Sequence, residues 1–271
     1  MSNERDYVLG THDDELNRLG LQHAVWRPHC TAAWGRAGFT AGQTLLDVGC
    51  GPGWASFDLA QIARERGRVV AVDRSRRFLD ALEAGASARG LANIETHERD
   101  LDEQGLPDVQ ADGAWARWVF AFVREPRLLL KRTIGALKSG GTFVVHEYVD
   151  YRTWRLSPRS EAFESFVTEV MASWRENGGE PDIALDLGRW LPELGCEIVS
   201  ERVICEVARP DEWWWEWPRA FVAIGLQRLV DLGRVSEERA AEMRAAFAQA
   251  ERTKGAFLLT PAVLEIVARK K

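Results

Sequence analysis

Much of what would mark a specialised protein is scarce in this chain. Its four cysteines, Cys30, Cys50, Cys196 and Cys205, are scattered, with no C-x-x-C pair and no histidine at ligand spacing. That excludes a zinc ribbon, a redox motif and a disulfide scaffold, so no metal is expected and the thiols read as reduced. No apolar run approaches the ~18 residues of a membrane span. The start Met1-Ser2-Asn3-Glu4-Arg5-Asp6 is polar where a secretory leader needs an apolar segment, so the expected location is cytoplasmic. Positive charge is not in excess either: 35 basic residues against 41 acidic ones leave −6. Nothing in that balance draws the chain to phosphate backbones or anionic lipid, and neither nucleic acid nor membrane is an expected partner. Tyrosine is rare as well, three residues, yet there are 12 tryptophans among 271 residues. The length suits one domain, or a domain with a sizeable insertion, and the indoles supply flat apolar surface whose N–H groups need partners when buried.

Short β-branched runs alternate with helical patterns through the middle of the chain, which predicts βαβ units around a parallel sheet. Strands are expected at 44–48, 69–72, 93–96, 114–119 and 142–146. Helices are expected at 54–66, from Ser75 as N-cap to about Gly90, and at 126–137. Beyond Glu147 the rhythm changes. Ser157-Pro158 opens a helical pattern with Phe163, Phe166, Val167, Val170, Met171 and Trp174 on one stripe, closed by Asn177-Gly178-Gly179. A short helix at 184–194, a strand at 197–207, two helices within 211–254 and a last strand at 263–268 complete the prediction; Ser236 with Glu237 and Glu238 starts the final helix. The expected fold is α/β, a Rossmann-like doubly wound, mostly parallel seven-stranded sheet with helical cap insertions. Its expected parts are covering helices at 1–40, a core at 41–150, 195–208 and 257–271, and a cap at 151–194 and 209–256.

The chemistry concentrates in Asp47-Val48-Gly49-Cys50-Gly51-Pro52-Gly53-Trp54. Three glycines stand where a strand turns into a helix, so the backbone reaches positive φ cheaply and approaches a ligand closely. The dinucleotide fingerprint G-x-G-x-x-G needs a glycine at 54, and Trp54 counts against a nicotinamide enzyme. Asp73, closing the second strand, sits where a carboxylate grips ribose hydroxyls in such folds.

In these residues the chain resembles the class I S-adenosylmethionine-dependent methyltransferases, in their small-molecule branch, over roughly residues 40–150. The resemblance implies S-adenosyl-L-methionine as cofactor, with Gly49, Gly51 and Gly53 under its methionine part, helped by Asp47, and Asp73 on both ribose hydroxyls. It implies Asp100 at the adenine amino group with Leu101 beside it, and a reactive centre near the end of Ala114-Trp115-Ala116-Arg117-Trp118-Val119-Phe120. Tyr7 and Gln22 match a cofactor-covering helix of one bacterial subgroup. Where relatives often carry His-Leu-x-x-Pro, this chain has Phe122-Val123-Arg124-Glu125-Pro126, and it lacks the (Asp/Asn)-Pro-Pro-Tyr motif of exocyclic-amine methylation.

Methyl transfer is an in-line displacement, so a base is needed only for an acceptor that arrives protonated. His146 and Glu147, at the end of strand five, are the candidate catalytic groups. Arg117 lies on an apolar strand and reads either as a clamp on a carboxylate of cofactor or substrate, or as one half of a salt bridge. Trp26, Phe122, Tyr148, Tyr151 and Trp213 are the candidate acceptor contacts. Seven tryptophans, at 154, 174, 190, 213, 214, 215 and 217, fall in the expected cap; lining the cleft, they would suit a small apolar or aromatic acceptor methylated on O, N or C. Open alternatives are a fold-mate that binds the cofactor without methyl transfer, such as a cyclase, and a nucleic-acid methyltransferase. Monomer and homodimer are both compatible with the sequence.

Overall fold

The computed structural model describes residues 13–271. In chain order its elements are α1 (Asp13–Ala37), β1 (Thr44–Val48), α2 (Trp54–Ala63), β2 (Arg68–Asp73), α3 (Arg76–Ala88), β3 (Ile94–Glu98), β4 (Ala111–Arg117), α4 (Pro126–Gly135), β5 (Leu137–Asp150), β6 (Arg155–Ser157), α5 (Glu161–Glu176), α6 (Ala184–Glu193), β7 (Cys196–Ile204), β8 (Val207–Ala208), α7 (Glu216–Asp231), α8 (Glu237–Arg252), β9 (Phe257–Leu259) and β10 (Ala262–Lys270). Seven strands form one sheet in the order β3-β2-β1-β4-β5-β10-β7. The first five are mutually parallel, and β10 runs antiparallel between β5 and β7. Strand order reverses between β1 and β4, the crevice where open α/β sheets bind ligands.

Strand alternation divides the core into two layers. Leu45, Trp115, Val144 and Val267 face α1, α2 and the helices after β5. Leu46, Ala114, Val145 and Ile266 face α4 and α6. α3 begins as expected at Ser75, whose hydroxyl accepts from the Phe78 N–H. α8 begins likewise at Ser236.

The cap differs from the expectation in three ways. Ser160, not Ser157-Pro158, caps α5, accepting from the Phe163 N–H, because Ser157 is held in β6. The expected strand at 197–207 divides into β7 and β8, and β8 joins β6 and β9 in a separate three-stranded antiparallel sheet. Pieces of two or three residues are too short to show a period of two. Finally, α6 packs with α4 against β5, β7 and β10 as a flank of the main sheet rather than in the cap. Its stripe of Leu187, Trp190 and Leu191 shows an amphipathic helix but not which surface the helix covers. The cap proper is α5, α7, α8 and the small sheet.

Candidate active site

A cleft with about 140 Å³ of space for small molecules opens along the carboxyl ends of β1, β2 and β4, roofed on one side by α1. Its floor is the turn between β1 and α2, where Gly49, Gly51 and Gly53 all take positive φ, 68°, 54° and 85°. A Cβ at Gly49 would lie 2.5 Å from Val119 Cγ2, and one at Gly53 2.3 Å from Leu82 Cγ, so neither position admits a side chain without rebuilding. Gly51 faces open space. Its N–H donates to Asp73 Oδ2 at 2.8 Å while Ser75 N–H donates to Oδ1 at 2.9 Å, which ties the end of β2 to the glycine turn. Burial pushes the Asp73 carboxyl upward, against these two donors.

Asp47, at the end of β1, accepts from the Ser56 hydroxyl at 2.6 Å. Burial lifts it to about 7, with the Ser56 bond and the charge of Arg117 acting the other way. On the far wall Asp100 Oδ1 accepts from Asp102 N–H at 2.9 Å, an Asx turn that presents Leu101 to the cleft. Gln22 reaches in from α1; its Oε1 accepts from Arg18 Nη1 and from Trp217 Nε1, so it also joins α1 to α7. Arg117 lines the cleft from the end of β4.

The cleft thus gathers Gln22, Asp47, Gly49, Gly51, Asp73, Asp100, Leu101, Arg117 and Phe122. Gly53 shapes the turn without lining the space, and Tyr7 lies outside the described residues.

The two candidate bases are not there. His146 stands opposite Arg117 in β5 and opposite Glu265 in β10, on the sheet face that α1 covers. It is wholly buried, its Nε2 3.1 Å from Glu265 Oε2, and Glu265 takes Arg36 Nη2 at 2.6 Å. Burial brings His146 down to about 4, so a neutral imidazole donates to Glu265, whose carboxyl is held low against burial by the His146 bond first and by Arg36 second. Glu147, one residue on, turns to the opposite face, where Oε1 accepts from the N–H groups of Val119 and Phe120 at 2.6 and 2.8 Å. Burial raises it to about 8. The pair bridges strands and caps a turn, because sheet alternation sends neither side chain into the cleft.

Most of the expected acceptor contacts are displaced too. Trp26 and Tyr148 are buried one layer behind the wall, packed on Trp118. Tyr151 lies deeper, against Trp154 and Trp174, and Trp213 is 53% exposed at the surface. None of the seven tryptophans expected in the cap lines the cleft, and Trp190 is not in the cap but on α6. Trp217 and Trp174 touch the lining residues Trp118 and Phe122 from behind, because α5 and α7 bury their aromatic faces against each other and β5. The aromatic wall is instead Trp54, Trp115, Trp118 and Phe122. Trp118 takes φ 53°, uncommon for a bulky residue, and its N–H donates to the His146 carbonyl. Its place at the end of an apolar strand was the available signal. Leu19, Arg74 and Asp102 also line the space and carry no motif.

An open α/β sheet with a glycine-turn cleft at its switch point, and a buried carboxylate on the next strand, defines a nucleotide-cofactor protein. Residues 46–145 match the family model of a methyltransferase domain. The chain is 38% identical over 100 residues to the cypemycin N-terminal methyltransferase of a Streptomyces species, 37% of this chain and 40% of that one. It is 30% identical over 131 residues to the 2-phytyl-1,4-naphtoquinone methyltransferase of Synechococcus elongatus, 47% of this chain and 53% of that one. The crystal structure of coclaurine N-methyltransferase bound to N-methylheliamine and SAH shares the fold with a TM-score of 0.57 at 16% identity, covering 90% of this chain and 72% of that one. The chain spans about half the length, or less, of these curated relatives. Residues 46–145 are thus similar to a methyltransferase domain, and the fold is that of solved S-adenosylmethionine-dependent methyltransferases.

Proposed function

We propose that this chain transfers a methyl group from S-adenosyl-L-methionine to O, N or C of a small apolar or aromatic acceptor. One observation carries the reading: the glycine turn, Asp73 and Asp100-Leu101 converge on the same cleft as the aromatic wall Trp115, Trp118 and Phe122. The residues fit the cofactor. Gly51 leaves open space at the turn, Asp73 offers a carboxylate already oriented by two backbone donors, and Leu101 gives an apolar edge beside Asp100. Asp73 would accept from the ribose hydroxyls and Asp100 from the adenine amino group. When bound, the cofactor supplies a methyl carbon already activated on a sulfonium.

The chain's own part is then to align and to exclude water, and alignment is worth on the order of 7–11 kcal/mol in such displacements. Among the described residues no histidine, lysine, tyrosine or glutamate lines the cleft. An acceptor whose nucleophile already has a free lone pair needs no base; for a protonated one, the aspartates that line the cleft are the groups at hand. Relatives named cypemycin N-terminal methyltransferase and 2-phytyl-1,4-naphtoquinone methyltransferase support a small acceptor, and the net charge of −6 gives no pull toward a phosphate backbone. The lack of a histidine, lysine, tyrosine or glutamate in the cleft favours a second reading, cofactor binding without methyl transfer. Labelled cofactor incubated with a metabolite extract separates the two: a product heavier by one methyl group is expected, and a product without that gain would leave only the second. Asp73→Ala should weaken S-adenosylhomocysteine binding about 100-fold, as loss of a charged double acceptor implies.

A further inference from the structure

A second cavity, with about 570 Å³ of space, lies between α1, the turn that leads into β1 and the later half of α2. It shares no lining residue with the cleft. Phe39 and Ile62 give it an apolar side, and Arg27 and Arg64 give it two guanidinium groups. Arg64 stands at φ 55° and ψ −174°, a conformation nearly confined to glycine, held by two donors to its carbonyl, Gly67 N–H at 3.0 Å and Asn93 Nδ2 at 2.9 Å. No carboxylate pairs with its guanidinium among the described residues. Arg27 spends Nε and Nη2 on Asp58, at 2.7 and 3.1 Å, which leaves Nη1 for a second acceptor. With Asp58 as its one carboxylate, the cavity keeps a positive charge in excess.

Asp58 is also the near end of a chain of contacts into the cleft. Its Oδ2 sits 3.0 Å from His23 Nε2, and His23 Nδ1 lies 3.3 Å from Arg117 Nη2. Arg117 lines the cleft, has Cys30 Sγ at 3.1 Å from Nη1 and makes no salt bridge among the described residues. With its Nε2–H given to Asp58, a neutral His23 keeps Nδ1 as an acceptor for that guanidinium. Burial lowers the His23 pKa, against Asp58 from α2 and together with Arg117 from β4 and Arg27 from α1. An anion on Arg27 and Arg64 draws Arg27 from Asp58. The carboxylate then acts on His23 alone and favours the imidazolium, whose Nδ1 carries a proton and cannot accept from Arg117. We propose that this second cavity binds a small carboxylate with an apolar body, its charge between Arg27 and Arg64 and its body on Phe39 and Ile62, and that its occupancy reaches the cleft through Asp58, His23 and Arg117. The effect on the cleft rests on the cofactor reading above; the site itself does not.

Calorimetric titration with benzoate, and with benzamide as its uncharged counterpart, tests the site. Benzoate should bind at least about tenfold more tightly than benzamide, since charge-assisted hydrogen bonds carry the affinity. Arg64→Gln should cost benzoate about tenfold and leave S-adenosylhomocysteine affinity within about twofold of wild type, because Arg64 lies outside the cleft. At pH 6, saturating benzoate should weaken S-adenosylhomocysteine about fivefold, and S-adenosylhomocysteine should weaken benzoate by the same factor. Asp58→Asn, which keeps the shape and removes the charge, should bring that factor to one. Benzoate that binds no better than benzamide, or as well to Arg64→Gln as to wild type, would overturn the site. A factor of one in the wild-type protein would overturn the path to the cleft. Wild-type protein that binds benzoate but not S-adenosylhomocysteine would support the site and remove the cofactor reading instead.

Discussion

The two walls of the cleft are built on opposite principles. The glycine-turn wall is polar: Asp47 and Asp73 are buried carboxylates, tied to a serine hydroxyl and two backbone N–H groups, on elements next to each other in sequence. The wall backed by the cap is aromatic, with Trp118 stacked at 15° on Tyr148 and at 6° on Trp217, and the further layers of α5, α7 and α8 behind. A polar wall of local origin can recognise a cofactor through fixed hydrogen bonds. A stacked wall assembled from distant segments mainly excludes water and sets shape.

If that division is right, damage deep in the cap should cost stability and not cofactor affinity. Phe163 packs on Trp154, Phe166 and Phe247 away from the cleft. Phe163→Ala should lower the unfolding free energy in urea by about 3–5 kcal/mol, while S-adenosylhomocysteine affinity, measured where the variant is folded, stays within about twofold of wild type. A large loss of affinity would join the two walls into one unit.

The polar wall should answer to pH. Asp47 titrates at about 7 in the free protein, facing Ser56 from α2, Asp73 from β2 and Arg117 from β4. The ammonium at the cofactor's amino-acid end needs the ionised carboxylate, so affinity for S-adenosylhomocysteine should rise with pH through 7, about tenfold per unit on the acid side. Asp47→Asn should flatten the profile; an unchanged slope would assign it to another group.

The smallest expected effect concerns the expected base. His146→Gln should keep turnover within about threefold, where loss of a general base costs roughly 10²–10⁴-fold. It should change acid stability instead. The folded His146 pKa, about 4, lies below the ordinary 6.5, so its contribution is complete above 6.5 and is lost as pH falls through 4. Wild-type stability should therefore drop over that window by on the order of 3 kcal/mol from this group, and the variant should lose less. Urea midpoints between pH 7 and pH 4 measure the difference.

Much of the glycine-turn wall was legible because each part is local. β-branched runs mark β1 and β2, the glycines mark the turn, and Asp73 and Asp100 stand at strand ends whose position follows from strand length. His146 and Glu147 were misread for a different reason. Both stand on the carboxyl half of β5, but residues i and i+1 of a strand face opposite layers, and here α1 covers one layer while a turn covers the other. The cap tryptophans failed as cleft contacts because an indole looks the same in sequence whether it meets a ligand or another helix. α6 failed likewise, since an amphipathic stripe does not name its partner surface.

Residue order along the chain therefore settled the main helices and the strands of the large sheet, the glycine turn and the strand-end acids, all of which depend on interactions within a few residues. Sheet register and helix docking settled which side chains share the cleft: Arg117 with His23 and Cys30, Trp118 with Tyr148 and Trp217, and His146 with Glu265. Those pairings join residues up to 119 positions apart, a distance over which no local pattern carries information.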